Sequence, residues 1–327
     1  MTTEVIIPVY KPGRELAILL SRLWGQTVPP DRIHIIHTMS PEDEKAGEAS
    51  AGRTGSREWY AGEMAVHPSL HVTWIRKEEF DHGGTRRMAA RESVAQILIF
   101  MTQDALPADN NLIAMLLKGL GQGEKVAAAY ARQLPRPDCR LPERYYRSFS
   151  YPEQPAVRSQ EDAAKLGIRT YFCSDVCAAY KKDCCRMAGG FPEKTIFNED
   201  MICTGRLLQH GYQCVYVPEA MVIHSHNYSC SQQFHRNFDL GVSHAQFPEI
   251  FGAFVSEGEG FSMVAGCVRF LLRSRRPDLV FYLGMQTVCK YAGYRLGKAY
   301  RRLPRPLLLR CTGNPGYWQQ RTVSVHR

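Results

Sequence analysis

The chain lacks any stretch of about 18 uninterrupted apolar residues, the length a bilayer-spanning helix needs, so no such helix is expected. It also lacks a charged leader followed by a long apolar segment. Met1-Thr-Thr-Glu-Val-Ile-Ile-Pro runs directly into a strand-like segment, which argues against a signal peptide and for a chain that stays in the cytoplasm. Neither GxGxxG after the first strand nor GxxxxGK[ST] occurs, so the two commonest phosphate-cradling loops are missing. Paired CxxC spacing is absent as well: Cys173, Cys177, Cys184 and Cys185 cluster without the pattern of a zinc site. The total of 11 cysteines is odd, and with no export signal it points to reduced thiols buried as small apolar side chains. Acids are nearly missing from the end of the chain. From Arg269 to Arg327, 13 Lys/Arg meet a single acid, Asp278, for +12, while the other 268 residues hold 28 basic and 31 acidic groups, for −3. The overall charge of +9 is therefore a property of the tail. A mildly acidic body with a basic end suggests an anionic surface met at that end.

What is present is ordinary for a globular chain: 44% apolar and 22% charged residues among 327, enough for a core in one large domain or two smaller ones. Val5–Tyr10 reads as a buried strand, Glu15–Trp24 as an amphipathic helix, and Ile33–His37 as a second strand. A polar loop from about Met39 to Ser56 follows. His71–Ile75, Thr85–Ser93 and Ile97–Met101 continue the alternation of strand and helix, which predicts an α/β fold with a mostly parallel sheet. Leu134–Pro155, with five prolines, reads as an extended loop. Further on, a helix opens near Glu199, and Cys214–Val217 and Met221–His224 read as two short strands. A helical, basic pattern then takes over. The division expected is a catalytic domain over 1–235 and a helical C-terminal region over 236–327.

Three elements carry chemistry. Ile97-Leu-Ile-Phe-Met-Thr-Gln-Asp brings Asp104 to the end of a buried strand, where a carboxylate serves either a divalent cation or a plain turn. Phe197-Asn-Glu-Asp-Met-Ile sets Glu199 and Asp200 at a helix start, as dipole-favoured capping acids or as the source of a general base. Val222-Ile-His-Ser-His ends a strand on a possible metal ligand, His224. Ser174-Asp175 either lines a pocket or forms a turn, and His82 and His226 read as flanking histidines in supporting or surface positions.

With VIIPVYK, LIFMTQDALP, GGFPEKTIFNED and GYQCVYVPEAMVIHSH in this order, the sequence resembles the family 2 glycosyltransferases, inverting enzymes of the GT-A fold, over roughly residues 3 to 230. In that family the strand-end element is a metal-binding DxD, whereas here Thr102 replaces the first acid and Asp104 remains. Phe80-Asp-His-Gly-Gly-Thr-Arg, the Thr102-Gln103-Asp104-Ala variant and His224-Ser-His-Asn-Tyr-Ser resemble the bacterial rhamnosyltransferases of the family more narrowly. The resemblance implies dTDP-β-L-rhamnose as donor and a lipid-linked or oligosaccharide acceptor in bacterial cell-surface polysaccharide synthesis. It further implies Asp200 as general base with Glu199 beside it, and Mg²⁺ or Mn²⁺ on Asp104 and His224. Pro8 and Tyr10 would border the nucleotide base, and Ser40 would stand near where the family usually has an acid. Arg86 would approach the donor diphosphate or sugar, and Gln103 and Asp104 would also take part in donor binding. Another donor, such as a UDP-hexose or UDP-galactofuranose, is the alternative.

Taken as a helix, Met285–Leu303 gathers Lys290, Arg295, Lys298, Arg301 and Arg302 on one arc, opposite Met285, Cys289, Leu296, Tyr300 and Leu303. That pattern suits either a helix lying on an anionic bilayer, peripheral to the inner face of the plasma membrane, or one packing its apolar arc on the catalytic domain. A non-catalytic polyanion binder is a further alternative, but basic and aromatic residues do not interleave in a groove-binding motif, so nucleic acid is not expected.

Overall fold

The computed structural model describes residues 1–43, 56–253 and 257–323. Among them one sheet is built from β1 (Thr3–Tyr10), β2 (Arg32–Thr38), β3 (Leu70–Ile75), β4 (Ile97–Met101), β5 (Leu106–Pro107), β6 (Val126–Leu134), β7 (Ala156–Arg158), β8 (Cys177–Lys181) and β9 (Gln213–Ile223). Their order is β3-β2-β1-β4-β8-β6-β9-β5, with β7 also pairing β9. The strands β1, β2, β3 and β4 are mutually parallel, and β6 and β9 run the same way because both β4 and β6 pair antiparallel with β8. The C-terminal ends of β1, β4, β6 and β9 and the start of β8 therefore lie along one edge.

The strands are apolar on both faces, as expected where helices cover both sides. Val5, Ile7 and Val9 pack on one side with Leu16, Leu19, Leu20 and Leu23 of α1 (Arg14–Trp24), while Ile6, Ile36 and Phe100 pack on the other. The remaining principal helices are α2 (Ser56–Val66), α3 (His82–Glu92), α4 (Leu112–Leu120), α5 (Leu141–Ser150), α6 (Glu199–Gln209), α7 (Cys230–Gln246), α8 (Glu257–Arg273) and α9 (Asp278–Lys298). Cys173, Cys177 and Cys185 are buried as small core side chains.

Several expectations change. The stretch Leu134–Pro155 is not one loop: α5 occupies its middle, with Pro142 in the first turn, where a missing N–H has no intrahelical partner to lose. The two short strands after residue 213 are a single β9, kinked where the register to β6 shifts between Ala131 and Arg132. The polar stretch from Met39 to Ser56 lies largely outside the described residues.

The tail helix begins and ends earlier than Met285–Leu303. It spans Asp278–Lys298, and its buried side holds Leu283, Gln286, Gly293 and Gly297. A Cβ at Gly293 or Gly297 would meet the carbonyl oxygen of Phe234 or Phe238 of α7 at 2.3 or 2.1 Å, so these two glycines let the helix backbones touch. Lys290 shares this inward side, its ammonium 4.4 Å from the centre of the Tyr146 ring, and burial lowers its pKa. The apolar arc divides: Met285 and Leu296 face outward, as do Arg295 and Lys298, whereas Tyr300 and Leu303, beyond the helix, pack into a core.

The C-terminal region shares two small cores with the rest of the chain. One joins Phe238, Val242, Tyr300 and Leu308 to Ile196, and the other joins Cys267, Leu271 and Leu283 to Leu141, Tyr145 and Tyr146 of α5. Ser243 Oγ donates to the carbonyl oxygen of Phe197 at 2.7 Å, so α7 braces the segment leading into α6.

Candidate functional site

Two strand ends supply a cluster of ligand-type atoms. Beyond β4, Asp104 Oδ2 lies 3.4 Å from His224 Nε2 and 3.1 Å from His226 Nε2. The two Nε2 atoms are 3.1 Å apart, and all three residues offer an atom within 4.8 Å of the others. Two imidazole nitrogens and a carboxylate converging this closely need a shared cation or proton to satisfy their lone pairs, and this donor set suits a divalent ion. Burial favours the neutral acid, but hydrogen bonds and charge from His224 and His226 hold the Asp104 carboxyl well below the usual range. The second nitrogen of His224, Nδ1, lies 3.2 Å from Gln133 Oε1, which fixes the ring so that Nε2 points at the cluster.

The same edge is braced by backbone contacts. Gln103 pairs reciprocally with Tyr10: Oε1 accepts from Tyr10 N at 2.9 Å and Nε2 donates to Tyr10 O at 3.1 Å. Arg136, just past β6, donates to the Asp104 carbonyl at 2.9 Å and pairs with Glu15 of α1. Pro8 is half-buried in β1, while Tyr10 is exposed at its end with the ammoniums of Lys11 and Lys77 each 5.9 Å from its ring centre. Ser40 is buried, and both its N–H and its Oγ donate to Asp43 Oδ2, at 2.9 and 2.7 Å. An acid therefore stands close to Ser40, three residues further along. His37 also contacts that carboxylate, and despite burial these partners bring the Asp43 pKa down to about 2.

A second cluster forms at the start of α6 and the turn before β8. Arg86 is almost fully buried: its Nε lies 2.8 Å from Asp175 Oδ2, and its Nη1 lies 2.9 Å from Glu199 Oε1 and 3.0 Å from the His82 carbonyl. Every one of these contacts is internal to the protein. Asp200, next to Glu199, points elsewhere, its two oxygens accepting from the backbone N–H of Met201 at 2.7 Å and of Asp175 at 3.2 Å. The preceding residue, Asn198, takes a left-handed conformation, φ 63°, which turns the chain sharply into the helix. Burial raises the Asp200 carboxyl well above its usual range, and the charges of Glu199 and Asp175 add to the effect. Burial likewise pushes Asp175 up to about 6 against the pull of Arg86, whereas Arg86 holds Glu199 low in spite of burial.

The two clusters are connected. Gln133 contacts His224 through Oε1 and donates from Nε2 to Ser174 Oγ at 3.0 Å, and the next residue, Asp175, donates its N–H to Asp200. Around Arg86, Asp81 caps α3 by accepting from Gly83 N and Gly84 N at 3.0 and 2.8 Å, and it also accepts from Thr195 N at 3.1 Å. Gly83 and Gly84 are required because a Cβ on either would lie 2.6 or 2.7 Å from a carbonyl oxygen of Pro192 or Glu193. The Asp-His-Gly-Gly motif is thus the seat for the segment that leads to Asp200.

Of the positions singled out in the sequence, Asp104 and His224 come together, and Gln103 joins Tyr10. Glu199 and Asp200 share a helix start but face different partners. His226, expected in a supporting or surface position, joins the first cluster, and Asp175, expected to line a pocket or form a turn, joins the second.

Similarity to known proteins agrees with this architecture. The family described as Glycosyl transferase family 2 matches residues 4–186. The O-antigen chain rhamnosyltransferase RfbN of Salmonella typhimurium is 35% identical over 322 residues, covering 97% of this chain and 96% of that protein. The O-antigen chain rhamnosyltransferase WbaN of Salmonella anatum is 39% identical over 326 residues, covering 96% and 95%. Among solved structures, the mannosyltransferase PcManGT from Pyrobaculum calidifontis, in complex with GDP-Man and Mn²⁺, aligns with a TM-score of 0.60 at 16% identity, covering 92% of this chain and 88% of that one. Staphylococcus aureus TarS 1-349 aligns with a TM-score of 0.51 at 13% identity, covering 92% of both chains. The structures establish a GT-A-type fold, and the family match and the two close relatives go further: the chain belongs to glycosyl transferase family 2 and is a glycosyltransferase.

Proposed function

We propose that the chain transfers L-rhamnose from dTDP-β-L-rhamnose to a hydroxyl of a lipid-linked or oligosaccharide acceptor in cell-surface polysaccharide synthesis. What carries this reading is near-full-length similarity to two O-antigen rhamnosyltransferases, in a chain whose strand ends gather a carboxylate and two imidazoles. Asp200 takes the proton of the acceptor hydroxyl as its oxygen attacks the anomeric carbon and the bond to the diphosphate oxygen breaks. A single inversion converts the β-linked donor sugar into an α-rhamnoside. The raised pKa of Asp200 matches a base that must hold a proton after transfer, and the backbone N–H groups of Met201 and Asp175 fix its orientation. Mg²⁺ or Mn²⁺ would be held by Asp104 and His224, with His226 as a third ligand, and when bound it would balance the charge of the departing diphosphate. Pro8, Tyr10 and Gln103 would form the donor side of the site, with Ser40 and Asp43 near the nucleotide. Arg86 sets the charge and position of Asp175 and Glu199 instead of gripping the donor. Residues 1–235 act as the catalytic part and 236–327 as a basic helical region, and the enzyme works peripherally on the inner face of the plasma membrane.

The direct test is incubation with dTDP-rhamnose, UDP-glucose, UDP-galactose and UDP-galactofuranose, each with Mn²⁺ and a lipid-linked acceptor, with the product read by mass. A deoxyhexose increment from dTDP-rhamnose alone is expected, and transfer from a UDP-sugar in its place would reverse the donor assignment. In the same preparation, His226→Ala is expected to weaken Mn²⁺ binding on the order of 10–100-fold, the usual size of changes around a metal site, as measured by calorimetry. Unchanged Mn²⁺ affinity would remove His226 from the ligand set.

A further inference from the structure

The outward side of α9 is apolar. Phe281, Met285 and Val288 succeed one another at helical spacing, joined by Leu296 two turns further on, and Phe281 and Val288 are 78% and 67% exposed. The inward side needs no further partner, since Gly293 and Gly297 already seat the helix on α7. Large apolar side chains concentrated on one exposed helix face mark an interaction surface, unlike the scattered single residues of an ordinary surface. The surroundings of this face are cationic. Arg295 and Lys298 flank it on the same helix, Arg275 and Arg276 precede the helix, and Arg301 and Arg302 follow it, all exposed. The only acid of this region, Asp278, is paired with Arg276 at 2.8 and 2.6 Å.

We infer that this face of α9 inserts into the interfacial layer of an anionic bilayer, with Phe281, Met285, Val288 and Leu296 entering the acyl boundary and the flanking cations resting on acidic headgroups. A protein partner would be met by a mixture of apolar and paired polar groups, whereas an apolar stripe bordered by cations on its flank and at both ends complements anionic lipid. The inference rests on the reading that the acceptor is carried by a membrane lipid, and it states how the site reaches that acceptor. The helix turn that points Phe281 outward carries Tyr282, whose hydroxyl donates to the Tyr228 carbonyl at 3.2 Å, and Gln286 Nε2 donates to the same carbonyl at 2.8 Å. The Tyr228 ring stacks on His226 at 5.0 Å between centres. The inserted face is therefore one residue away from side chains that support the ligand cluster.

The test is flotation of the full chain with vesicles of phosphatidylcholine alone or with added phosphatidylglycerol, in the absence of donor and acceptor. Flotation is expected only with the anionic vesicles. Phe281→Glu combined with Val288→Glu should reduce it by about tenfold or more, and Arg295→Glu with Lys298→Glu should weaken it and make it less salt-dependent. Both variants should keep the wild-type melting temperature and full transfer to a soluble acceptor, which separates failure of this inference from failure of the assigned reaction. Flotation that survives the first variant, equal flotation on neutral vesicles, or an apolar face consumed by a dimer that the first variant dissociates would overturn it.

Discussion

Replacement of Asp200 by Asn is expected to lower the transfer rate by about 10²–10⁴-fold, the usual contribution of a positioned general base. The substitution is nearly isosteric, and an amide oxygen can still accept from the Met201 or Asp175 N–H, so the fold and donor binding should change little. Glu199 cannot substitute, because its carboxylate is held by the Arg86 guanidinium at 2.9 Å. The wild-type rate should rise with pH through an acid limb lying above the ordinary carboxylate range, since the base must be ionised to act and its pKa is raised. That limb should vanish in the variant. Near-normal transfer by Asp200→Asn at neutral pH, with Glu199 intact, would remove Asp200 from the role of base.

The second large effect is expected at Arg86. Arg86→Met keeps the stem of the side chain and removes the charge, leaving Asp175 and Glu199 buried without their cation. Breaking a buried ion pair from one side costs about 3–5 kcal/mol, and for a chain of this size that corresponds to a fall in melting temperature of roughly 6 °C. The sign of the pH effect follows from the three neighbouring carboxylates. Arg86 favours their ionised forms, so its loss makes each harder to ionise and moves the acid limb of transfer upward. A residue that gripped only the donor would raise KM and leave both the limb and the melting temperature unchanged, so calorimetry with a pH–rate profile discriminates between the two roles.

The sequence revealed the strand-end chemistry because a buried apolar run ending on a polar residue is visible in one dimension. Asp104 follows Ile97–Met101 and His224 follows Met221–Ile223, so both could be placed at the sheet edge without knowing their partners. His226 carries a signal of its own: in extended backbone, residues two apart point to the same side, which makes His224 and His226 candidates for one site. For Asp175 the sequence leaves pocket lining and a plain turn equally open. It belongs to the site only because β8 inserts between β4 and β6, a pairing across more than seventy residues that no local pattern encodes. The strand β6 was hidden by its alanines, which are poor strand formers yet fit tightly between two neighbouring strands. The helix α5 was hidden by the prolines around it, one of which occupies its first turn. The tail helix is legible as a helix, but the face that seats it is not, because a wheel sorts residues by polarity and a glycine contact face has none.

The insertion of β8 also constrains how the chain becomes an enzyme as it leaves the ribosome. The strands β1 to β4 can pair as soon as they are made, but β6 has no place beside them until residues 177–181 emerge, and β9 comes later still. Asp200, His224 and His226 are all synthesised after that join. A growing chain can therefore have paired its early strands, with Asp104 already in place, while still lacking Asp200, His224 and His226. Both clusters become complete only when the second half of the polypeptide closes the sheet edge.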